Sequence, residues 1–340
     1  MTRLHRIGRA FAALSASAAM VVLPVASALA EDLQPLPNLP SAHAHLKPGS
    51  ARPGFAAKIM PRQGYRGRLM FGHVPDLSAS IKPAATRPND FYPQDLSYFG
   101  GPVVTAASHV NVYWGAANGA VWGYPAQYEN ALNHSRMIAM LNAYTGNPPA
   151  TNGTYPVATY GWAGGSPGTL IYDSQIAAQA QFIATYDRAN RGAALEMGTI
   201  YHFFLPPGTD ACFDDASQGC YNPDGAAPGP FAFCGYHSNT TLPDGTNVLY
   251  TVEPYQTVYG CSDSPTTASD TANVLGHEIA ETITDPLPGY GWVGAYATNY
   301  GSEIGDECSW QMYTHTLTPS ASYVTQNWYS NRLHNCSDLP

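Results

Sequence analysis

The sequence predicts an α/β (α+β) domain in which a mixed sheet lies beside one functional helix and the loops are stapled by disulfides. Three observations carry that expectation. Short β-rich runs alternate with segments of helical spacing from about residue 98 onward. All six cysteines lie beyond residue 200. A His-Glu-x-x-Glu segment, from His277 to Glu281, falls inside one of the helical patterns.

The chain begins with Arg3, Arg6 and Arg9 ahead of an apolar, Ala-rich stretch that ends in the small-x-small signature Ala28-Leu29-Ala30. Residues 1–30 therefore read as a secretory signal peptide; a membrane anchor would need an apolar run less diluted by Ser. No later segment is long and apolar enough to span a bilayer. A secreted, extracellular or periplasmic chain without a membrane anchor is the expectation. Residues 31–97 are rich in Pro, Ala and basic residues and show little periodicity. They read as a linker or as a pro-segment docked by charge, and the lack of cysteine there excludes a thiol that masks a metal.

The folded domain is expected over residues 98–340. Val103 to Trp114 is β-rich and alternating, a predicted strand. Helical spacing places Leu132, Met137, Met140 and Leu141 on one side of a helix from Asn130 to Tyr144. After the apolar run Leu170 to Tyr172, Ser174 caps a helix from Gln175 to about Tyr186. Thr199 to Leu205 and Val248 to Val252 read as strands. Between them, Pro206 to Gly245 is rich in Gly, Pro, Asp and Cys and reads as a loop region held by disulfides. Ser264-Pro265 opens a helix that runs to Thr284, with Leu275, Ile279 and Ile283 as its buried stripe. Asp285-Pro286 stops it. Gly289 to Gly294 reads as a flexible aromatic turn, and Cys336 ties down a Tyr- and Asn-rich end. The chain has no internal repeat.

Charge narrows the partners. Charged residues make up 11% of the chain, against about 25% in typical soluble domains. Of the 15 Lys and Arg, three fall in the signal segment, eight in residues 31–97 and only four beyond, while 19 of the 24 Asp and Glu lie from residue 98 onward. The surface must be built from Ser, Thr, Asn, Gln and Tyr. It offers no basic stripe for phosphates, which excludes nucleic acid as a partner.

Cys212, Cys220, Cys234, Cys261, Cys308 and Cys336, in an exported chain, read as three disulfides. About 15 connectivities are open to them; pairing of neighbours is the simplest. None of the spacings is a Cys-x-x-Cys hook, so a cysteine-bound zinc is not expected.

The chemistry concentrates on the last long helix. Residues four apart share a helix face, so His277 and Glu281 can grip one cation together. Glu278, beside the first ligand, is placed to take a proton from a metal-bound water. Glu303-Ile-Gly-Asp306 begins 22 residues after Glu281, a separation suited to a third ligand, which makes Glu303 the expected one. Asp306 is expected to accept the ring N–H of His277, or to serve as an alternative ligand. His237 is a further candidate, as a replacement ligand or transition-state donor, beside the simpler reading of a hydrogen-bonded loop residue. His109 and His202 read as packed side chains on strands. His43 and His45 form an incidental metal-binding pair. No Gly-x-Ser-x-Gly elbow supports a serine hydrolase.

This pattern resembles the His-Glu-x-x-His plus distant Glu of thermolysin-like peptidases, with Glu281 in place of the second His. The resemblance implies a zincin-like domain and a zinc-dependent peptidase acting on a peptide or protein. The added carboxylate makes the site more anionic and friendlier to manganese or calcium. A second resemblance points elsewhere. Cys234-Gly-Tyr-His237, the later Tyr-x-Val stretch with Cys261, His277-Glu-Ile-Ala-Glu-Thr-Ile-Thr-Asp-Pro286 and Glu303-Ile-Gly-Asp-Glu-Cys308 are similar to the EXORDIUM-like, phosphate-induced protein 1 family. It covers about residues 98 to 340 and is strongest in the last hundred. That family's plant members are secreted, disulfide-containing proteins linked to growth. The resemblance therefore implies, as the alternative, a non-catalytic extracellular signalling or wall-associated protein with a structural calcium site.

Overall fold

The computed structural model describes residues 95–340 except 107, 117, 147–156, 163–166, 213–219, 223–232, 259, 263, 295–302 and 310, together with the strand at 58–61. For 58–61 and 157–162 only the backbone is described. The expected signal segment and the pair His43 and His45 lie outside the described residues. All described residues fall in one unit, Asp32–Pro340.

The first half of the fold contains β1 (Lys58–Pro61), β2 (Leu96–Tyr98), β3 (Ser108–Trp114), α1 (Pro125–Asn133), α2 (Arg136–Ala139) and α3 (Asn142–Thr145). It continues with β4 (Val157–Trp162), β5 (Leu170–Tyr172), α4 (Asp173–Arg191), β6 (Thr199–Phe204) and β7 (Asp210–Cys212). Then come β8 (Phe233–Thr241), β9 (Asn247–Glu253) and α5 (Thr267–Thr284). The short strands β10 (Trp292–Gly294), β11 (Met312–Thr318), β12 (Ala321–Gln326), β13 (Trp328–Ser330) and β14 (Asn335–Ser337) close the chain.

The main sheet is mixed, as the sequence implies, in the order β1-β8-β9-β6-β3-β4. Strands β4, β3, β6 and β9 run parallel, whereas β8 and β1 are antiparallel additions at one end. Alternation along each strand divides the interior into two layers. Val110, Val112, Trp114, Tyr201, Phe203, Tyr250 and Val252 pack with Ile176, Ala180 and Ile183 of α4. On the other face Tyr113, Phe204 and Leu249 pack with Leu275, Ile279 and Ile283 of α5. That second face is mixed in chemistry. His109, Asn111, His202, Thr251, Glu253 and His237 occupy its alternate positions, all buried.

The helix α5 starts where Thr266 accepts a hydrogen bond from the Ser269 amide, two residues later than the Ser264-Pro265 opening read from sequence. It ends at Thr284 as expected. Several expectations need correction, and α4 starts at Asp173 after Tyr172 rather than at Gln175 behind a Ser174 cap. The helix drawn from Asn130 to Tyr144 is three short pieces, because Ser135 breaks the run and recaps it by accepting from the Ile138 amide. Its four apolar residues are buried all the same. The loop drawn from Pro206 to Gly245 contains β7 and the nine-residue strand β8. Tertiary burial makes Phe233–Thr241 a strand despite its Gly, Ser and Asn. The aromatic turn after α5 is pinned rather than flexible: the Asp285 carboxylate accepts from the amides of Gly289, Tyr290 and Gly291 at 2.5, 3.0 and 2.6 Å.

The disulfides are Cys212–Cys220, Cys234–Cys261 and Cys308–Cys336, the neighbour pairing. No helix among the described residues is long and apolar enough to cross a membrane.

Candidate metal centre

Three segments converge under α5. The helix presents His277, Glu278 and Glu281, β8 presents His237, and the turn after residue 302 presents Glu303 and Asp306. All six are buried to 1% exposure or less. The turn is held from three sides: Tyr329 N donates to Ile304 O, Gln326 Nε2 donates to Gly305 O at 2.7 Å, and Cys308 is bonded to Cys336. Gly305 is required here. A Cβ would sit 2.7 Å from His277 Nδ1 and 2.9 Å from Glu281 Oε1.

His277 Nε2 lies 3.0 Å from Glu281 Oε1 and 3.5 Å from Asp306 Oδ1. The other ring nitrogen, Nδ1, is 3.2 Å from Gln326 Oε1. Gln326 spends its amide N–H on Gly305 O, so its Oε1 must accept and His277 Nδ1 must donate. That fixes the tautomer that leaves a lone pair on Nε2, aimed at the carboxylates. Gln326 thus performs the service the sequence reading gave to Asp306, and Asp306 stands among the candidate ligands. Glu303, the expected third ligand, has Oε1 3.8 Å from His237 Nε2.

His237 Nδ1 is 3.5 Å from both Glu278 Oε2 and Glu281 Oε2, while Nε2 faces Asp285 O at 3.2 Å. A carbonyl can only accept, so Nε2 carries a proton and Nδ1 looks at the two carboxylates. Glu281 is shared: Oε1 also accepts from the Asp306 amide at 3.0 Å. The two imidazoles thus meet these buried carboxylates at 3.0–3.5 Å as ion pairs of histidine and carboxylate. Gathering that many carboxylates around two imidazoles is costly to bury, and a divalent cation among them would offset their mutual repulsion.

The electrostatics follow. Burial alone would lower His237, but Glu278 and Glu281 overcome it and raise it to about 9. Burial likewise opposes the proton on His277, yet Glu281 and Asp306 hold its pKa well above the usual value. Burial raises Glu278, against the pull of His237 and His277. For Glu281 burial is outweighed by the two imidazoles, and its carboxyl is lowered. In the metal-free chain protons fill the space between these donors; a divalent cation competes for the same places.

His277, Glu281 and Asp306 offer donor atoms within 4.8 Å of one another, as do His237, Glu278 and Glu281. Sequence reasoning missed Gln326, since a lone glutamine on a C-terminal strand carries no motif. Neither a protein-family model nor a curated protein matches this chain.

Proposed function

We propose that this chain is a secreted, metal-dependent peptidase in which His277, Glu281 and Asp306 hold one divalent cation, zinc foremost. The observation that carries this reading is the His277 ring, held by Gln326 so that Nε2 faces Glu281 and Asp306 in a fully buried cluster. One imidazole and two carboxylates leave an open position, the ligand number of a catalytic zinc. When bound, the metal would polarise a substrate carbonyl and acidify a water.

The chain's own residues supply the rest. Glu278 adjoins the first ligand, and burial raises its carboxyl above the usual range. It can therefore take a proton from the attacking water and pass it to the leaving amine. His237 Nδ1, 3.5 Å from Glu278, can donate to the oxygen of the tetrahedral intermediate. The buried surroundings strengthen both interactions by excluding water.

The test is cleavage of a generic peptide mixture by the purified secreted chain. Activity that a chelator removes and zinc restores supports the peptidase. An oxygen-rich donor set favours one second reading: calcium or manganese held structurally, in an extracellular protein of the EXORDIUM-like kind. Metal-dependent stability without turnover would select it.

A further inference from the structure

We infer that the outer edge of β8 is a peptide-accepting edge, and that residues 58–61 of the chain's own N-terminal segment occupy it. Strand β8 ends the parallel array as an antiparallel addition, and its residues Phe233, Cys234, Tyr236, His237 and Ser238 have no exposure. A fully buried outer strand needs a partner for its second row of amides and carbonyls. β1 is that partner, with Lys58 opposite His237, Ile59 opposite Tyr236, Met60 opposite Gly235 and Pro61 opposite Phe233.

The register places this strand at the candidate centre. Its neighbours His237 and Gly235 are the residues of β8 that face α5. A Cβ on Gly235 would lie 2.6 Å from Val274 Cγ1 and 3.2 Å from Glu278 Oε1. An extended peptide at this edge therefore runs about one strand spacing, ~4.8 Å, from the residues beside Glu278. Main-chain pairing of this kind accepts many sequences, the mode of β-strand addition. Pro61 cannot donate to a further strand and marks where pairing stops.

Charge agrees with the docking. Eight of the chain's Lys and Arg lie in residues 31–97, ahead of a domain that carries 19 acids and four arginines. The segment is thus a self-occupying strand, and displacing it would open the edge to a peptide from outside. The consequence for turnover, that an opened edge cleaves faster, rests on the peptidase reading; the docking itself does not.

The experiment uses the secreted chain and a labelled synthetic peptide of residues 55–64. In the unaltered chain the amides of residues 58–61 should be protected from hydrogen exchange, and excess peptide should release that protection while residues 233–237 stay protected. A chain carrying Ile59→Pro and Met60→Pro should bind the labelled peptide at least about tenfold more tightly, because its edge is no longer self-occupied. Equal affinity of the two chains, or unprotected exchange at residues 58–61 in the unaltered chain, would overturn the inference. Exchange protection and peptide affinity need neither metal nor turnover. A chain that binds the peptide but cleaves nothing keeps the edge and loses the peptidase. One that cleaves with no gain from the prolines does the reverse.

Discussion

Two buried clusters of histidine and carboxylate sit on the same face of the sheet, and they are built on opposite principles. In the first, His109 Nδ1 is 2.8 Å from His202 Nε2, His202 Nδ1 is 2.8 Å from Thr251 Oγ1, and Thr251 donates to Glu253 Oε1 at 2.8 Å. Because Thr251 gives its proton to Glu253, it accepts from His202, which in turn accepts from His109. The hydrogen bonds form one directed chain. Burial lowers His109 to about 3 and, with His109 beside it, holds His202 well below its usual value. Both imidazoles are neutral. In the second cluster His277 and His237 are paired with carboxylates at 3.0–3.5 Å, and both are raised.

The contrast teaches that residue type does not separate scaffold from site. His109, His202 and Glu129 also bring donor atoms within 4.8 Å of one another. What differs is how the ring nitrogens are spent: on each other in the first cluster, on an open convergence in the second. A directed chain of hydrogen bonds between neutral rings fixes a core, whereas protonated imidazoles gathered against carboxylates form a cluster that a divalent cation can enter by displacing protons.

The largest effect expected is on turnover. Glu278→Gln should lower cleavage by about 100-fold or more through loss of general-base help, with metal content unchanged. Glu281→Gln should instead release metal, as elemental analysis of the purified variant would report. Equal and small effects of both would erase the distinction between the clusters.

Next in size is Gln326→Leu, which removes the acceptor that fixes the His277 tautomer. Metal affinity should weaken by about 10- to 100-fold, the usual cost of losing such an outer partner. A competition titration with a chromogenic chelator measures it. In the first cluster Thr251→Val should leave metal affinity untouched. It should cost about 1–3 kcal/mol of stability, because His202 and Glu253 lose their shared partner in the core. Urea denaturation would show whether the losses divide in this way.

The effects of pH have opposite signs in the two clusters. A histidine whose pKa falls from 6.5 to about 3 on folding binds its proton less in the folded state. Its contribution is present above about pH 6.5 and is lost as pH drops toward 3. His237, raised from 6.5 to about 9 in the metal-free chain, gives stability that is complete below 6.5 and lost as pH rises through 9. In chelator-treated protein, His109→Phe should flatten the acid limb of the stability profile, and His237→Gln the alkaline limb.

Much of this was legible in the sequence, for identifiable reasons. The α5 stripe of Leu275, Ile279 and Ile283, with Asp285-Pro286 after it, defines a helix from local pattern alone, and neighbouring cysteines pair as spacing suggests. The strand β8 was not legible, because a run such as Gly-Tyr-His-Ser-Asn-Thr becomes a strand only when β9 and α5 enclose it. The same blindness hid the position of His237. Glu303 and Asp306 were visible as a cluster, but the order of their roles depends on the turn at Gly305, whose geometry no spacing rule encodes. Gln326 is 49 residues from His277, and only the folded chain brings them together.

The most direct test is zinc K-edge absorption spectroscopy of the secreted, zinc-loaded chain, paired with the His277→Ala variant. A zinc coordinated by a single imidazole and otherwise by oxygen, absent from the variant, is the predicted result. Two imidazoles, a sulfur donor, or zinc retained after His277→Ala would contradict a centre formed by His277, Glu281 and Asp306.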